Sequence, residues 1–252
     1  MKIGITGSTG FISSTVAGEF KRHGHQILSL DPWVREDYQN DKELKQLDWV
    51  FHFGAKTSIP GSSADPFVTF SSNINSTIKA LKIAEQQKAK FIYLSSYVYG
   101  APQYVPVDEE HKINVTNPYM GSKFLGEEVC RQMSKFCSIP LVILRAFNIY
   151  GHVFKQGRLI SDILSAYQTQ SPFTLNNPNP RRDYLYVKDF ILLLHRILDA
   201  NDLSDVTFNV GSGKSYSNIE VIEKFNKLIK EPLKVQINFN PRQYDILECV
   251  AD

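Results

Sequence analysis

Cysteine, charge imbalance and long apolar runs are all scarce in this chain. Its three cysteines, Cys130, Cys137 and Cys249, form no CxxC pair and are odd in number. That excludes a disulfide scaffold and fits a reduced, cytoplasmic setting. Six histidines are scattered without metal-ligand spacing, so no metal site is expected. A net charge of +2 predicts neither nucleic-acid nor membrane binding. No stretch approaches the roughly 18 apolar residues of a membrane span, and residues 1–14 read as a strand and turn, not a signal peptide. Internal repeats and low-complexity segments are absent. What remains is ordinary for a globular protein with a sizeable core: 252 residues, 42% hydrophobic and 21% charged. That length suits one large α/β domain, or one domain with a small appendage.

The informative stretch is the first, MKIGITGSTGFISS. A short apolar run at residues 3–6 reads as a buried strand, Gly7 and Gly10 follow, and a helix is expected over residues 13–23. A strand running through a glycine turn into a helix N-terminus makes a phosphate cradle. Glycine lets the backbone turn tightly and approach the ligand, while free N–H groups and the helix dipole favour an anion. The spacing Gly7-x-x-Gly10-x-x-Ser13 points to a dinucleotide site, although a plain strand-to-helix turn also uses glycine.

A second parallel strand is expected at residues 25–30, ending at Asp31, which stands 21 residues after Gly10. An acid about 20 residues past such a turn accepts hydrogen bonds from the adenosine ribose. A carboxylate there repels a 2′-phosphate and favours NAD, whereas Arg35 nearby keeps NADP open; a turn-starting Asp before Pro32 is the plain alternative. Residues 32–47 leave room for a short strand and one helix. Residues 48–53 (DWVFHF) form the next strand, with His52 read as a packed strand residue, and close in Gly54-Ala55, where a cofactor can lie against the backbone. A loop is expected at 60–66 and a long helix at 67–87. The strand Lys90–Ser96 ends in two serines, at the carboxyl end of a parallel strand where α/β ligand sites form. Residues 101–117 read as a proline-rich, acidic surface loop. A sixth strand at Leu141–Ala146 precedes helices at 159–169, 188–199 and 218–229, with a strand and turn at 208–213. Arg181-Arg182 reads either as solvated surface or as a phosphate contact.

The helix started by Asn117-Pro118 carries Tyr119 and Lys123 at i and i+4, on one helical face. A phenol with a pKa near 10 is too weak a base at neutral pH. Lowering it by about three units takes roughly 4 kcal/mol of preferential phenolate stabilisation. A neighbouring ammonium in a partly desolvated cleft supplies much of that. Tyr-x-x-x-Lys alone is usually a solvated pair; after a strand ending in serine and an N-terminal glycine turn it becomes specific.

In order along the chain, TGSTGFIS, DWVFHFGA, SNINST, YLSSYVYG, YMGSK, LRAFNIYG, RRDYLYVKD and FNVGSG resemble the extended short-chain dehydrogenase/reductases, specifically the NAD-dependent epimerase/dehydratase family acting on nucleotide sugars. The resemblance implies an α/β fold: a Rossmann-type, doubly wound parallel sheet with a smaller C-terminal substrate-binding α/β region. Residues 1–150 would be the dinucleotide-binding domain, with residues 183–210 returning to it, and residues 151–252 mainly the substrate region. Ser95, Tyr119 and Lys123 would be catalytic, Tyr119 as acid/base and Lys123 holding the nicotinamide ribose. Gly7, Thr9, Gly10, Phe11, Ile12 and Asp31 would contact the pyrophosphate and ribose, and Asp37-Tyr38 the adenine. Phe53, Gly54, Ala55, Asn73 and Phe147 would line the cofactor. Ser96 would touch substrate, and Asn148, Arg182 and Arg242 would grip the diphosphate of a sugar nucleotide.

Departures narrow the chemistry. Family 4,6-dehydratases carry Asp and Glu directly after the catalytic Ser or Thr, and decarboxylases keep the Glu; Ser96 and Tyr97 stand there in this chain. The reaction implied is then NAD(P)-dependent 4-epimerisation, with nucleotide-sugar 4-keto reduction as the alternative and a non-catalytic NAD(P)-binding sensor as a third reading. Ser13 replaces a third glycine, at a tolerated cost. The family usually continues with another helical segment beyond ECVAD, which implies a truncated chain or a trimmed substrate region. The resemblance also implies a homodimer through the helices near 67–87 and 119–136, with Phe124, Leu125 and Cys130 read either as an apolar outer face or as core.

Overall fold

Along the strand Lys90–Ser96 side chains alternate between two cores: Phe91 and Tyr93 enter one, Ile92 and Leu94 the other. A strand buried on both faces needs helices on both sides, and the sequence supplies them. The structure, a computed structural model, describes residues 1–31, 46–152, 157–200, 203–240 and 246–252. Its elements are β1 (Lys2–Thr6), α1 (Phe11–Arg22), β2 (Gln26–Ser29), β3 (Trp49–His52), α2 (Ile59–Ala64), α3 (Pro66–Gln87), β4 (Lys90–Ser96), α4 (Pro118–Cys137), β5 (Leu141–Ala146), β6 (Asn148–Tyr150) and α5 (Leu159–Gln168). They continue with β7 (Phe173–Asn176), β8 (Arg181–Tyr186), α6 (Val187–Asp199), β9 (Val206–Val210), β10 (Ser215–Ser217), α7 (Asn218–Asn226), β11 (Val235–Asn238) and β12 (Glu248–Cys249).

The main sheet runs β2-β1-β3-β4-β5-β9 with every pairing parallel. Strand order reverses between β1 and β3, so the crevice at their carboxyl ends is where a doubly wound sheet takes a ligand. Val16 and Phe20 of α1 and Phe190, Leu194 and Ile197 of α6 cover one face. Ala80, Leu81 and Ala84 of α3 and Cys130 of α4 cover the other. Of the three residues read as either outer face or core, Cys130 is core, Leu125 is exposed and Phe124 is half-buried.

A smaller sheet sets β8 against β10, β12 and β6, and β7 pairs with β11. The fully buried Asp183 of β8 joins it to the end of β9: its carboxylate accepts from Ser212 N and Oγ (both 2.7 Å), Gly213 N (3.1 Å) and Ala251 N (3.3 Å). Gly211 is required there, since any Cβ would strike that carboxylate.

Several expectations shift. The helix expected from residue 13 begins at Phe11. The loop expected at 60–66 is largely the helix α2, capped by the Ser58 hydroxyl accepting from Gly61 N (3.1 Å) and tolerant of Pro60 in its first turn. Leu141–Ala146, expected as sixth in chain order, is the fifth strand among the described residues; β9 completes the sheet. The helix expected to run to 229 stops at Asn226. The strand and helix expected at 32–47 fall almost wholly outside the described residues.

Candidate active site

Gly7 sits at φ +68°, a left-handed conformation that glycine adopts freely, and a Cβ on it would stand 2.6 Å from the Gly54 Cα. The two cofactor-lining turns, after β1 and after β3, therefore touch backbone to backbone. Gly10 N closes the first turn on Gly7 O (2.8 Å), and α1 starts with Gly10 as its cap, with no side-chain cap bond and no acid in its first turn. Such a helix end suits an anion, and the dinucleotide cradle expected at Gly7, Thr9, Gly10, Phe11 and Ile12 fits. Asp31, just past β2, reaches this turn: its carboxylate accepts from Gly7 N (2.6 Å), Ser8 N (3.3 Å), Ser8 Oγ (2.6 Å) and Ser29 Oγ (3.0 Å). Ser13 is buried, and its hydroxyl donates to Thr6 O (3.3 Å), so the missing third glycine costs no stranded polar atom.

Of the two serines closing β4, the structure turns Ser96 and not Ser95 toward Tyr119. Ser95 follows Phe91 and Tyr93 on the face covered by α4, and its hydroxyl donates to Glu127 Oε1 (2.5 Å). Glu127 is fully buried and is gripped by Arg145, with Nη2 to Oε2 at 2.8 Å and Nε 3.1 Å from both oxygens. Arg145 in turn donates to Tyr99 Oη (3.1 Å), which donates to Asn209 Oδ1 (2.5 Å). Ser95, expected at the catalytic position, thus has its hydroxyl bound into a network with Glu127 and Arg145. Burial pushes the Tyr119 phenol above its ordinary pKa; the Ser96 hydrogen bond and the Arg158 charge pull it down, and Tyr97 adds to the rise. Among the described residues, no carboxylate is one of the groups that act on this phenol.

The Lys123 ammonium, expected beside Tyr119, lies over the Tyr93 ring, with Nζ 4.1 Å from the centroid. Burial pulls its pKa to about 8, against opposing contributions from Cys130 and Glu127.

His52, fully buried on β3, has one satisfied tautomer. Thr77 Oγ1 donates to Asn73 O (2.8 Å), so it accepts from His52 Nε2 (3.0 Å). Thr6 Oγ1 accepts from Gly54 N (3.0 Å), so it donates to His52 Nδ1 (2.8 Å). Burial, reinforced by the Lys123 charge, lowers this imidazole to about 3 and keeps it neutral. Asn73, expected beside the cofactor, spends its amide on Lys56 N (2.7 Å) and Ser122 Oγ (2.9 Å), and Ser122 donates to Tyr119 O (2.8 Å). It ties the loop after β3 to the Tyr119 helix.

Phe147 is buried, with its ring 5.1 Å from that of Tyr97. Arg182 donates to Ile246 O (2.5 Å) and Arg181 O (2.8 Å) and also bonds the Tyr97 phenol. Asn148 Nδ2 donates to Asp183 O (3.0 Å). Asp37, Tyr38, Arg35 and Arg242 lie outside the described residues. The sequence reading missed Arg158, Tyr97, Tyr93 and Glu127. Tyr97 and Glu127 lie at Ser96+1 and Lys123+4, spacings that could have drawn attention, whereas Arg158 and Tyr93 carry no local signal.

Residues 3–211 match the NAD dependent epimerase/dehydratase family. A UDP-glucose 4-epimerase of Mycoplasma genitalium is 32% identical, with 100% of this chain and 88% of that protein covered. Among solved structures, UDP-glucose 4-epimerase from Bifidobacterium longum, in complex with NAD+ and UDP, superimposes with a TM-score of 0.85 at 25% identity, covering 100% of this chain and 90% of that one. The UDP-glucuronic acid 4-epimerase from Bacillus cereus, in complex with UDP-glucuronic acid and NAD, has a TM-score of 0.87 at 22% identity with the same coverage, a likeness of fold.

Proposed function

The chain belongs to the NAD dependent epimerase/dehydratase family, and from that premise we propose that it is an NAD-dependent 4-epimerase of a UDP-sugar. The observation that carries the reading is the company Tyr119 keeps: a hydroxyl from Ser96, the cation Arg158 and the phenol Tyr97, with no carboxylate among the described residues acting on it. Dehydration needs carboxylates to protonate a leaving hydroxyl and take an α-proton. A phenol and a hydroxyl alone can only carry a proton on and off one oxygen, which is what epimerisation asks of the protein.

NAD, when bound, supplies a reversible hydride acceptor. The first turn of α1, with Gly7, Thr9, Gly10, Phe11 and Ile12, holds its pyrophosphate, and Asp31 its adenosine ribose. Phe53, Gly54, Ala55 and Phe147 wall its site, and Lys123 holds the nicotinamide ribose. Ser96 and Tyr119 bond the substrate's 4-oxygen; Tyr119 takes its proton and later returns it. Arg182 and Asn148 grip the diphosphate, with Arg158 adding positive charge on the same side. Residues 1–150, joined by residues 183–210, form the cofactor domain, and residues 151–252 mainly the substrate region. A homodimer in the cytoplasm completes the reading: Phe67, Val68 and Ile78 of α3 and Leu125 of α4 are exposed apolar side chains that a second copy would cover. Among the described residues no helix is long and apolar enough to cross a membrane.

The test is the absorbance spectrum and mass of the nucleotide that co-purifies, followed by incubation with UDP-glucose and UDP-galactose without added cofactor. Tightly held NAD and interconversion of the two sugars are expected. A protein that purifies empty and prefers NADPH would overturn the epimerase reading in favour of a keto-reductase.

A further inference from the structure

Lys123 is 3% exposed, yet its charge has no carboxylate to itself. Among the described residues the carboxylate that acts on it, Glu127, is committed to Arg145 (2.8 Å), Arg131 (3.3 Å) and the Ser95 hydroxyl. The other group that acts on Lys123 is the Cys130 thiol of its own helix, while the Lys123 charge in turn helps to hold the His52 imidazole of β3 neutral. What meets the ammonium from β4 is the face of the Tyr93 ring at 4.1 Å. Tyr93 is itself fixed on three sides. Its hydroxyl donates to Lys123 O (3.3 Å), its ring stacks on His52 at 5.7 Å, and Gly126 gives it room, since a Cβ there would collide with the Tyr93 hydroxyl. A glycine inside a helix is disfavoured relative to alanine; here the space it leaves is filled by this phenol.

We propose that Tyr93 is a positioning residue for Lys123: the electron-rich ring face holds the ammonium in place and the hydroxyl anchors the backbone that carries it. A desolvated ammonium is stabilised by an aromatic face, and the attraction falls as electron density is withdrawn from the ring. The proposal deepens the reading of Lys123 as the cofactor-holding cation and rests on it for its consequence in turnover.

The experiment places phenylalanine and its mono-, di- and trifluoro analogues at position 93 of the full-length protein carrying 13C-labelled lysine, with NAD bound. It follows the Lys123 Cε resonance against pH, assigned by its loss in Lys123→Arg, alongside kcat and KM. These rings are nearly isosteric, so packing changes little. Tyr93→Phe should titrate close to wild type, each added fluorine should lower the titration point, and Tyr93→Leu should lower it by about one pH unit. The alkaline limb of kcat/KM should follow. A titration point unchanged across the fluorinated series, in folded protein, would overturn the proposal even if Tyr93→Leu proves unstable. Lys123→Met separates the two layers. Full turnover in that variant sinks the role given to Lys123 in cofactor holding, while the Lys123 resonance in the position-93 series still reports on the ring contact.

Discussion

The Ser95 hydroxyl donates to the buried carboxylate of Glu127 across 2.5 Å, which leaves its neighbour Ser96 as the hydroxyl facing Tyr119. Two adjacent serines thus divide one strand end between structure and chemistry. Ser96→Ala should cut kcat about 10²-fold or more with the fold intact. Ser95→Ala should instead cost about 1–3 kcal/mol of stability through the stranded Glu127 oxygen and leave most turnover. Kinetics and urea melts of the two variants, side by side, decide the assignment; equal kinetic losses would contradict it.

Tyr119→Phe removes one oxygen from the face where proton transfer is placed. It should keep its bound nucleotide and lose turnover by about 10²–10⁴-fold. Near-normal activity would sink the acid/base role.

His52 gives the fold an acid-sensitive joint. Its folded-state pKa is about 3 against an ordinary 6.5, so the unfolded chain binds the extra proton between those values. Stability from the neutral imidazole is fully present above pH 6.5 and is lost as the pH falls toward 3. At about 1.4 kcal/mol per pH unit, wild type should lose about 2 kcal/mol from this group between pH 6.5 and 5. Denaturant melts of wild type and His52→Gln at both pH values should show the gap between them shrinking by that amount; a constant gap would refute it.

Gly7→Ala forces a Cβ into the Gly54 backbone at a residue held at positive φ. Neither turn can yield without moving the strand that carries it, so the substitution should cost roughly 2–4 kcal/mol and strip the co-purifying nucleotide. Thermal melts and nucleotide content by mass measure both. Gly10→Ala is milder, since its Cβ would meet Gly7 O at 3.1 Å and Ser13 Oγ at an ordinary 3.9 Å.

Local chemistry in the sequence was enough for the strand–glycine–helix opening, the helix carrying Tyr119 and Lys123, and the order of elements that makes a parallel sheet. These follow from periodicity, caps and turn residues within a few positions of one another: Asn117 and Pro118 start α4 by the same rules anywhere. Tertiary structure alone decided which serine meets Tyr119. Successive strand side chains point to opposite faces, and only the placement of α4 over the Phe91–Tyr93–Ser95 face determines that Ser95 finds Glu127. The partner of Lys123 was likewise hidden, because Tyr93 lies 30 residues away and meets it only where β4 passes under α4. Cys130, open in the sequence between outer face and core, is core for the same reason: a helix's periodicity tells which residues share a face, while packing tells what that face meets.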